Sequence, residues 1–446
     1  MITSPAFRGK RYAVLGLARS GLATVDALVA SGAEVMAWDN KDEARAKVAG
    51  KAILADPLEI DLTGFDGVVV SPGVPLNTHP LAAKARAAGV PVIGDIELFA
   101  QARAGLPQHK VVGITGTNGK STTTALTHHI LKTAGIPTEM GGNIGLPILT
   151  QDPLPEGGVY VLELSSYQID LTFSLDCDVA VLLNITPDHL DRYDGFEAYA
   201  ASKFRLIEMQ SDDHPWVITS DPEAGQLWRQ ADERVSDRSI GASTNGRHQQ
   251  VSVVEGLAVG RYGRIGLQAD WPSLQGPHNA QNAACAIAAC EALGLGGKVI
   301  GEGLRTYPGL PHRMERVADK HGILFVNDSK ATNPDSTAPA LAAYPYIHWI
   351  VGGLAKTHSL GPCEAQLGHV RGAYTIGDSG PMFAQLLAGK VPVTECGRLD
   401  AAVSAAADAA KEGEVVLLSP ACASFDQFRD YEARGQAFRD AVGALS

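Results

Sequence analysis

Short apolar runs alternate with helical stretches, two of those runs end in glycine-rich turns, and polar or Pro/Gly connectors lie near residues 100 and 308. Together these predict an α/β protein of three domains. At 446 residues the chain is too long for one hydrophobic core, and the expected boundaries are 1–99, 100–308 and 309–446. With 45% hydrophobic and 19% charged residues, the composition is that of a soluble globular protein. A net charge of −12 argues against broad binding to nucleic-acid phosphates, so no nucleic-acid partner is expected. The cysteines (Cys177, Cys285, Cys290, Cys363, Cys396 and Cys422) show no Cys-x-x-Cys spacing and read as buried small residues of a reducing compartment. No apolar run approaches the ~18 residues of a membrane span, and no signal peptide is visible. A cytoplasmic protein without a membrane span is therefore expected.

In the first domain Arg11 to Gly16 reads as a strand and Ala23 to Ser31 as a helix. Glu34 to Asp39, Gly67 to Ser71 and Val90 to Ile93 read as further strands. Gly16-x-Ala18-x-x-Gly21 follows the first strand, and Asp39 closes the second about 20 residues on. That is nearly a dinucleotide fingerprint, and it makes the domain Rossmann-like. Ala18, however, stands where a glycine would let the backbone approach a pyrophosphate. The turn points to a nucleotide-type ligand without naming it, leaving open both a dehydrogenase and a tight turn with no ligand.

A polar connection, Gln101 to Lys110, leads to the apolar run Val111 to Ile114 and then to Gly116-Thr117-Asn118-Gly119-Lys120-Ser121-Thr122-Thr123. A strand ending in a glycine-rich turn that opens a helix with Lys-Ser holds a nucleotide triphosphate. Backbone N–H groups close on phosphate oxygens, Lys120 reaches the terminal phosphates, and the Ser121 hydroxyl sits on Mg²⁺. The strict pattern has a glycine where this chain has Ile114. Val159 to Leu162 and Val179 to Leu183 are continuous apolar runs, as in strands buried on both faces. They end in Glu163 and in Asn184-Ile185-Thr186-Pro187-Asp188-His189. If those strands flank the loop, Glu163 and His189 complete the Mg²⁺ coordination. Between Val251 and Gln268 the glycine-bearing texture predicts a small antiparallel annex, and Asn279 to Leu293 an Ala-rich helix with Asn279 and Asn282 on one face. The central domain is thus P-loop ATPase-type.

Pro308-Gly309-Leu310-Pro311 reads as a hinge into a third, Rossmann-like domain. Its strands are expected at Ile323 to Asn327, Ile347 to Val351, Ala373 to Ile376 and Val415 to Leu418, with a last helix over Gln427 to Val442.

The phosphate loop, Gly141-Gly142-Asn143-Ile144-Gly145, Glu163-Leu164-Ser165-Ser166-Tyr167-Gln168 and the stretch from Asp188 to Lys203 together resemble the Mur ligase family. The resemblance runs in order through nearly the whole chain, and in that family the loop is spaced as it is here. It implies an ATP-dependent carboxylate–amine ligase of bacterial cell-wall precursor synthesis, working through an acyl phosphate. Two segments, Asn327 to Asn333 and Ser419 to Phe428, resemble the D-glutamate-adding branch. UDP-N-acetylmuramoyl-L-alanine and D-glutamate are then the implied substrates, and a monomer is expected.

The resemblance also implies roles. Lys203 would be carbamylated by CO₂ and serve a second Mg²⁺, and Asn143 would contact the acceptor or the phosphoryl group. Asn282, Arg313 and Asp328 would hold the adenosine of ATP, domain closure bringing Arg313 onto the nucleotide. Thr332 and Lys356 would hold one carboxylate of glutamate. Ser424, with a backbone N–H near Tyr431, would hold the other. Leu17, Ala18, Arg19 and Ser20 would face the UDP pyrophosphate, with Asp39 and Asn40 near the uracil and Gly73 and Val74 in the opposite wall. Cys422 is read as packing. The competing readings are a folylpolyglutamate synthetase, a nucleotide-dependent dehydrogenase and a non-catalytic ATP-binding protein.

Overall fold

The computed structural model describes residues 1–188, 191–219, 222–230, 237–245 and 250–445. They form two compact units, residues 1–266 with 281–304 and residues 267–280 with 305–446. Among the described residues there are three sheets.

The first sheet, in the first unit, holds β1 (Arg11–Leu15), β2 (Glu34–Trp38), β3 (Ile53–Leu54), β4 (Gly67–Val70) and β5 (Val92–Ile93). Their order is β3-β2-β1-β4-β5 and every neighbour is parallel. The strand order reverses between β1 and β4, the position at which open α/β sheets take ligands. The helix after β1 spans Arg19–Ala30 and starts four residues before the expected Ala23, so Gly21 lies inside it. A Cβ on Gly21 would stand 1.8 Å from the carbonyl oxygen of Gly16, so this glycine serves the close approach of helix and strand.

The second sheet, also in the first unit, holds β6 (His109–Thr115), β7 (Thr138–Gly142), β8 (Gly158–Glu163), β9 (Val179–Leu182), β10 (Trp216–Thr219), β11 (Ser239–Ser243), β12 (Val251–Val254), β13 (Leu257–Gly260) and β14 (Gly263–Leu267). The order is β14-β13-β12-β11-β10-β9-β6-β8-β7. β8 and β9 flank β6 in parallel, as the ligand reading requires, and both are buried throughout. The annex is present, with β12 and β13 antiparallel. The connection before the loop is shorter than expected. Gln101 belongs to the helix Asp95–Ala102, whose apolar face is buried, and β6 already begins at His109. β7, β10 and β11 were not expected; β7 reads Thr-Glu-Met-Gly-Gly and has no apolar run to announce it. One core continues from the first sheet into the second, with Phe99 edge-on to Tyr160 at 5.1 Å.

The third sheet, in the second unit, holds β15 (Glu315–Lys320), β16 (Ile323–Asn327), β17 (Ile347–Gly352), β18 (Val370–Ile376), β19 (Val393–Gly397) and β20 (Val415–Leu418), in the order β15-β16-β20-β17-β18-β19. Here β15 and β19 are additions, and β15 pairs antiparallel with β16. The last helix is Tyr431–Ala444, not Gln427 to Val442, because Asp430 accepts the Ala433 N–H at 2.7 Å and caps it there. All six cysteines are free thiols; five are buried, whereas Cys396 is half-exposed, contrary to expectation.

Replacing Gly21 by Ala should lower the thermal unfolding midpoint, by the equivalent of on the order of 1–3 kcal/mol, since either β1 or the helix must move. Calorimetry of the variant checks this; an unchanged midpoint would contradict the close approach.

Candidate functional site

The glycine-rich turn after β6 is held from two sides. At the end of β9, the Asn184 carbonyl accepts the Thr117 N–H at 2.8 Å. The Asn184 side chain then pairs with one loop residue twice, accepting the Asn118 N–H at 2.8 Å and donating to the Asn118 carbonyl at 3.0 Å. The Thr117 hydroxyl donates to the Thr186 carbonyl at 3.1 Å and accepts the Thr186 N–H at 3.0 Å. On the other side Gly119, at φ +87°, caps the helix Lys120–Thr133, and a Cβ there would meet the Asn282 Oδ1 at 2.2 Å. Asn282, expected near adenosine, therefore lies against the loop glycine and also accepts from the Thr123 hydroxyl at 3.3 Å. Asn184 was not singled out from sequence, although it closes the apolar run of β9.

Two lysines converge on Gly116. Lys120 Nζ donates to the carbonyls of Gly116 (2.9 Å) and Thr117 (2.8 Å). Lys203 Nζ donates to the same Gly116 carbonyl at 2.9 Å and sits 4.6 Å from the Tyr199 ring centroid. Lys203 is only 2% exposed. Burial, then the charge of Lys120, lowers its pKa well below the usual lysine range, against the opposing charges of Asp188 and Asp170. Asp170 also fixes the helix Phe196–Glu208 that carries Lys203, accepting from Ser202 at 2.7 Å and Tyr193 at 2.8 Å.

Glu163, at the end of β8, pairs in register with Ile114 and is 1% exposed. Asn143 donates to Glu163 Oε1 at 2.9 Å. Glu163 Oε2 is buried with no hydrogen-bond partner. A bare buried carboxylate oxygen beside a phosphate loop suits a hard cation. Ser121, in the first turn of the helix, supplies a buried hydroxyl nearby in sequence. Among the described residues no three His, Cys, Asp or Glu side chains form a metal cluster; Ser121 and Glu163 are the described residues that could hold Mg²⁺. His189 lies outside the described residues.

At the carboxyl ends of β1, β2 and β4 is a cavity of about 260 Å³ whose lining includes Asp39, Asn40, Gly73 and Val74, as expected, together with Trp38 and His79, which were not. Asp39 also serves the backbone: it accepts the N–H of Leu17 at 2.7 Å and of Lys41 at 2.9 Å. Against burial, which alone would raise it, these bonds hold its carboxyl below the ordinary range. Leu17 has its side chain in the core, Ala18 is exposed, Arg19 donates to the Gly145 carbonyl at 2.6 Å, and Ser20 bonds to Asp95.

In the second unit the register places the ends of β16, β20 and β17 side by side. Asp328 is buried there, accepting from the Ser419 hydroxyl at 2.8 Å and the Met314 N–H at 3.2 Å; burial lifts its pKa to about 7. Its charge is felt by Arg313, which is half-buried. Ser424 is buried, Thr332 half-buried and Lys356 exposed. Tyr431 opens the last helix, with Lys330 Nζ 3.8 Å from its ring centroid.

Family models described as "Mur ligase MurD-like, N-terminal domain", "Mur ligase middle domain" and "Mur ligase, glutamate ligase domain" match residues 10–94, 114–290 and 312–422. A UDP-N-acetylmuramoylalanine--D-glutamate ligase of Novosphingobium aromaticivorans is 61% identical over 445 residues, covering 100% of this chain and 97% of that protein. The chain belongs to the Mur ligase family. A relative of the same name from Sphingopyxis alaskensis is 59% identical with both chains covered completely. Among solved structures, the MurF ligase of Thermotoga maritima in complex with ADP matches with a TM-score of 0.61 at 18% identity, over 98% of this chain and 95% of that one. A UDP-N-acetylmuramate-alanine ligase of the same organism matches with a TM-score of 0.59 at 18% identity, over 98% and 99%. These two likenesses are of fold. Family membership removes the dehydrogenase reading that Gly16-x-Ala18-x-x-Gly21 had left open.

In this Mur ligase, Asn184→Ala deletes both side-chain bonds to Asn118, each worth about 1 kcal/mol. KM for ATP should rise roughly tenfold, and the thermal midpoint should fall by the equivalent of on the order of 2 kcal/mol. Steady-state kinetics check this, and an unchanged KM would show that the loop keeps its shape without the clamp.

Proposed function

We propose that this chain adds D-glutamate to UDP-N-acetylmuramoyl-L-alanine in an ATP-dependent amide ligation of peptidoglycan precursor synthesis. The observation that carries the reading is end-to-end likeness, at 61% identity, to a relative that bears the name of that ligase.

A carboxylate is a poor electrophile, so the γ-phosphoryl of ATP is first transferred to the acceptor carboxylate, giving an acyl phosphate. The amine of D-glutamate attacks its carbonyl, a tetrahedral intermediate forms, and phosphate leaves as the amide closes. The protein's part is positioning and charge neutralisation. The loop residues Gly116 to Thr122 cradle the phosphates, and Lys120 turns from the loop carbonyls to the terminal phosphate. Ser121 and Glu163, with His189, are the proposed Mg²⁺ ligands; the bound ion neutralises phosphate charge. Lys203 is proposed to react as a neutral amine, R–NH₂ + CO₂ → R–NH–COO⁻ + H⁺, giving a carboxylate for a second Mg²⁺. Its burial, its neighbour Lys120 and its lowered pKa favour the neutral form that this reaction needs.

Asn143, on Glu163, is proposed to meet the acceptor or the phosphoryl group in flight. Asn282, Arg313 and Asp328 are each proposed contacts of the adenosine. The cavity at the end of the first sheet is assigned to the UDP moiety, with Leu17 to Ser20 at its pyrophosphate. Thr332, Lys356, Ser424 and the backbone of Tyr431 are assigned to the two glutamate carboxylates. Domains at 1–99, 100–308 and 309–446 and action as a monomer belong to the same reading. A cytoplasmic location is also proposed, supported by the six free thiols. Among the described residues no helix is long and apolar enough to cross a membrane.

The test is phosphate release from ATP with UDP-N-acetylmuramoyl-L-alanine, offering D-glutamate, L-glutamate, L-alanine and meso-diaminopimelate in turn. Turnover is expected with D-glutamate alone. Turnover with another amino acid, or with none, would sink the assignment.

A further inference from the structure

The loops at the ends of β16, β20 and β17 meet on one side chain. Arg434, on the last helix, is 1% exposed. Its Nε donates to the Ser329 hydroxyl at 3.0 Å, and one terminal nitrogen donates to the carbonyls of Ser329 and Cys422, both at 2.9 Å. The other terminal nitrogen donates to the Ala423 carbonyl at 3.3 Å. That second nitrogen also lies 3.1 Å from where a Cβ on Gly353 would stand, so the β17 loop closes over it. Leu354 and Ala423 then exchange backbone bonds at 2.9 and 3.0 Å, joining the β17 and β20 loops. Ser329 passes the constraint on to the head of the helix, donating to the Tyr431 carbonyl at 2.8 Å.

A guanidinium at this depth is costly unless something needs it. Asp426 and Asp328 act on it through their fields, and no carboxylate forms an ion pair with it among the described residues. Burial lowers its pKa to about 10, which leaves it a cation at neutral pH. Only a planar fork with several fixed donors can bridge a hydroxyl and three carbonyls of two loops; a lysine ammonium is a point charge. The residues assigned to the glutamate carboxylates lie next to the points held. Ser424 follows Ala423, Thr332 comes three residues after Ser329, and Lys356 three after Gly353.

We propose that Arg434 is the positioning residue of the amino-acid pocket: its fork sets the three strand-end loops in register, and its charge gives them the positive potential that a dicarboxylate substrate needs. This rests on the reading that these loops take D-glutamate. Arg434 acts through Ser424, Thr332 and Lys356, adding its fork to the bonds that already join the loops, Leu354 with Ala423 and Ser419 with Asp328.

The test is initial-rate kinetics of the full-length enzyme carrying Arg434→Lys or Arg434→Gln, beside Lys356→Ala, each with a thermal melt. Arg434→Lys keeps the charge and loses the fork, so KM for D-glutamate should rise about tenfold. Arg434→Gln loses both, and the rise should be about a hundredfold. KM for ATP and for the UDP-linked substrate should stay within about twofold of the parent in both. A KM for D-glutamate that stays within that range, or a parallel rise of all three constants, would overturn the proposal. If Arg434→Gln does not fold, Arg434→Lys decides by the same criterion. Lys356→Ala separates the two levels. If it raises KM for D-glutamate while the Arg434 variants do not, the inference about Arg434 fails alone. If it does not, the pocket assignment fails and the inference with it.

Discussion

Two lysine amines share the carbonyl oxygen of Gly116, each at 2.9 Å, and one of them is almost wholly buried. Like charges this close repel strongly wherever water cannot screen them. The strain of the arrangement is relieved if the deeper group, Lys203, gives up its proton, which its burial already favours. The surrounding contacts keep Lys203 in that position. Asp170 anchors its helix through Ser202 and Tyr193, and the Tyr199 hydroxyl lies 3.1 Å from that of Thr117 in the loop. The phosphate loop and the lysine helix are therefore built as one object, with the bare oxygen of Glu163 as its unfinished corner.

The two units use the same device with different chemistry. In each, loops at the carboxyl ends of parallel strands are tied to one another by polar side chains before any ligand is considered. In the first unit Asn184 imitates a backbone partner for Asn118, and Asp39 does so for Leu17 and Lys41. In the second, Arg434 gathers the carbonyls of Ser329, Cys422 and Ala423. Preformed loops of this kind spare binding the cost of ordering them.

Much of this was legible in the sequence, for physical reasons that differ from residue to residue. Phosphate binding needs consecutive backbone N–H groups, so Gly116 to Ser121 announces itself in one line of text. Glu163 was legible because it ends an uninterrupted apolar run, and the neighbouring strands did prove to flank β6. β7 was not, because a strand of Thr-Glu-Met-Gly-Gly carries no hydrophobic period. Asn184 stood in view at the end of β9, but its bond to Asn118 joins residues 66 apart. Arg434 sits in an ordinary amphipathic helix, where an arginine reads as a solvated cation, and only tertiary packing reveals that it is buried. Gly21 looked like part of a nucleotide fingerprint. In the fold its requirement is the Gly16 carbonyl behind it, which a dehydrogenase and a ligase share.

The most direct measurement is of the state of Lys203 itself. The full-length protein is equilibrated with ¹³C-labelled bicarbonate and its ¹³C NMR spectrum is recorded beside that of Lys203→Ala. A protein-bound carbamate resonance present in the parent and absent from the variant is the expected result, since only a neutral amine can capture CO₂. No such resonance in the parent, or one that persists without Lys203, would contradict the account.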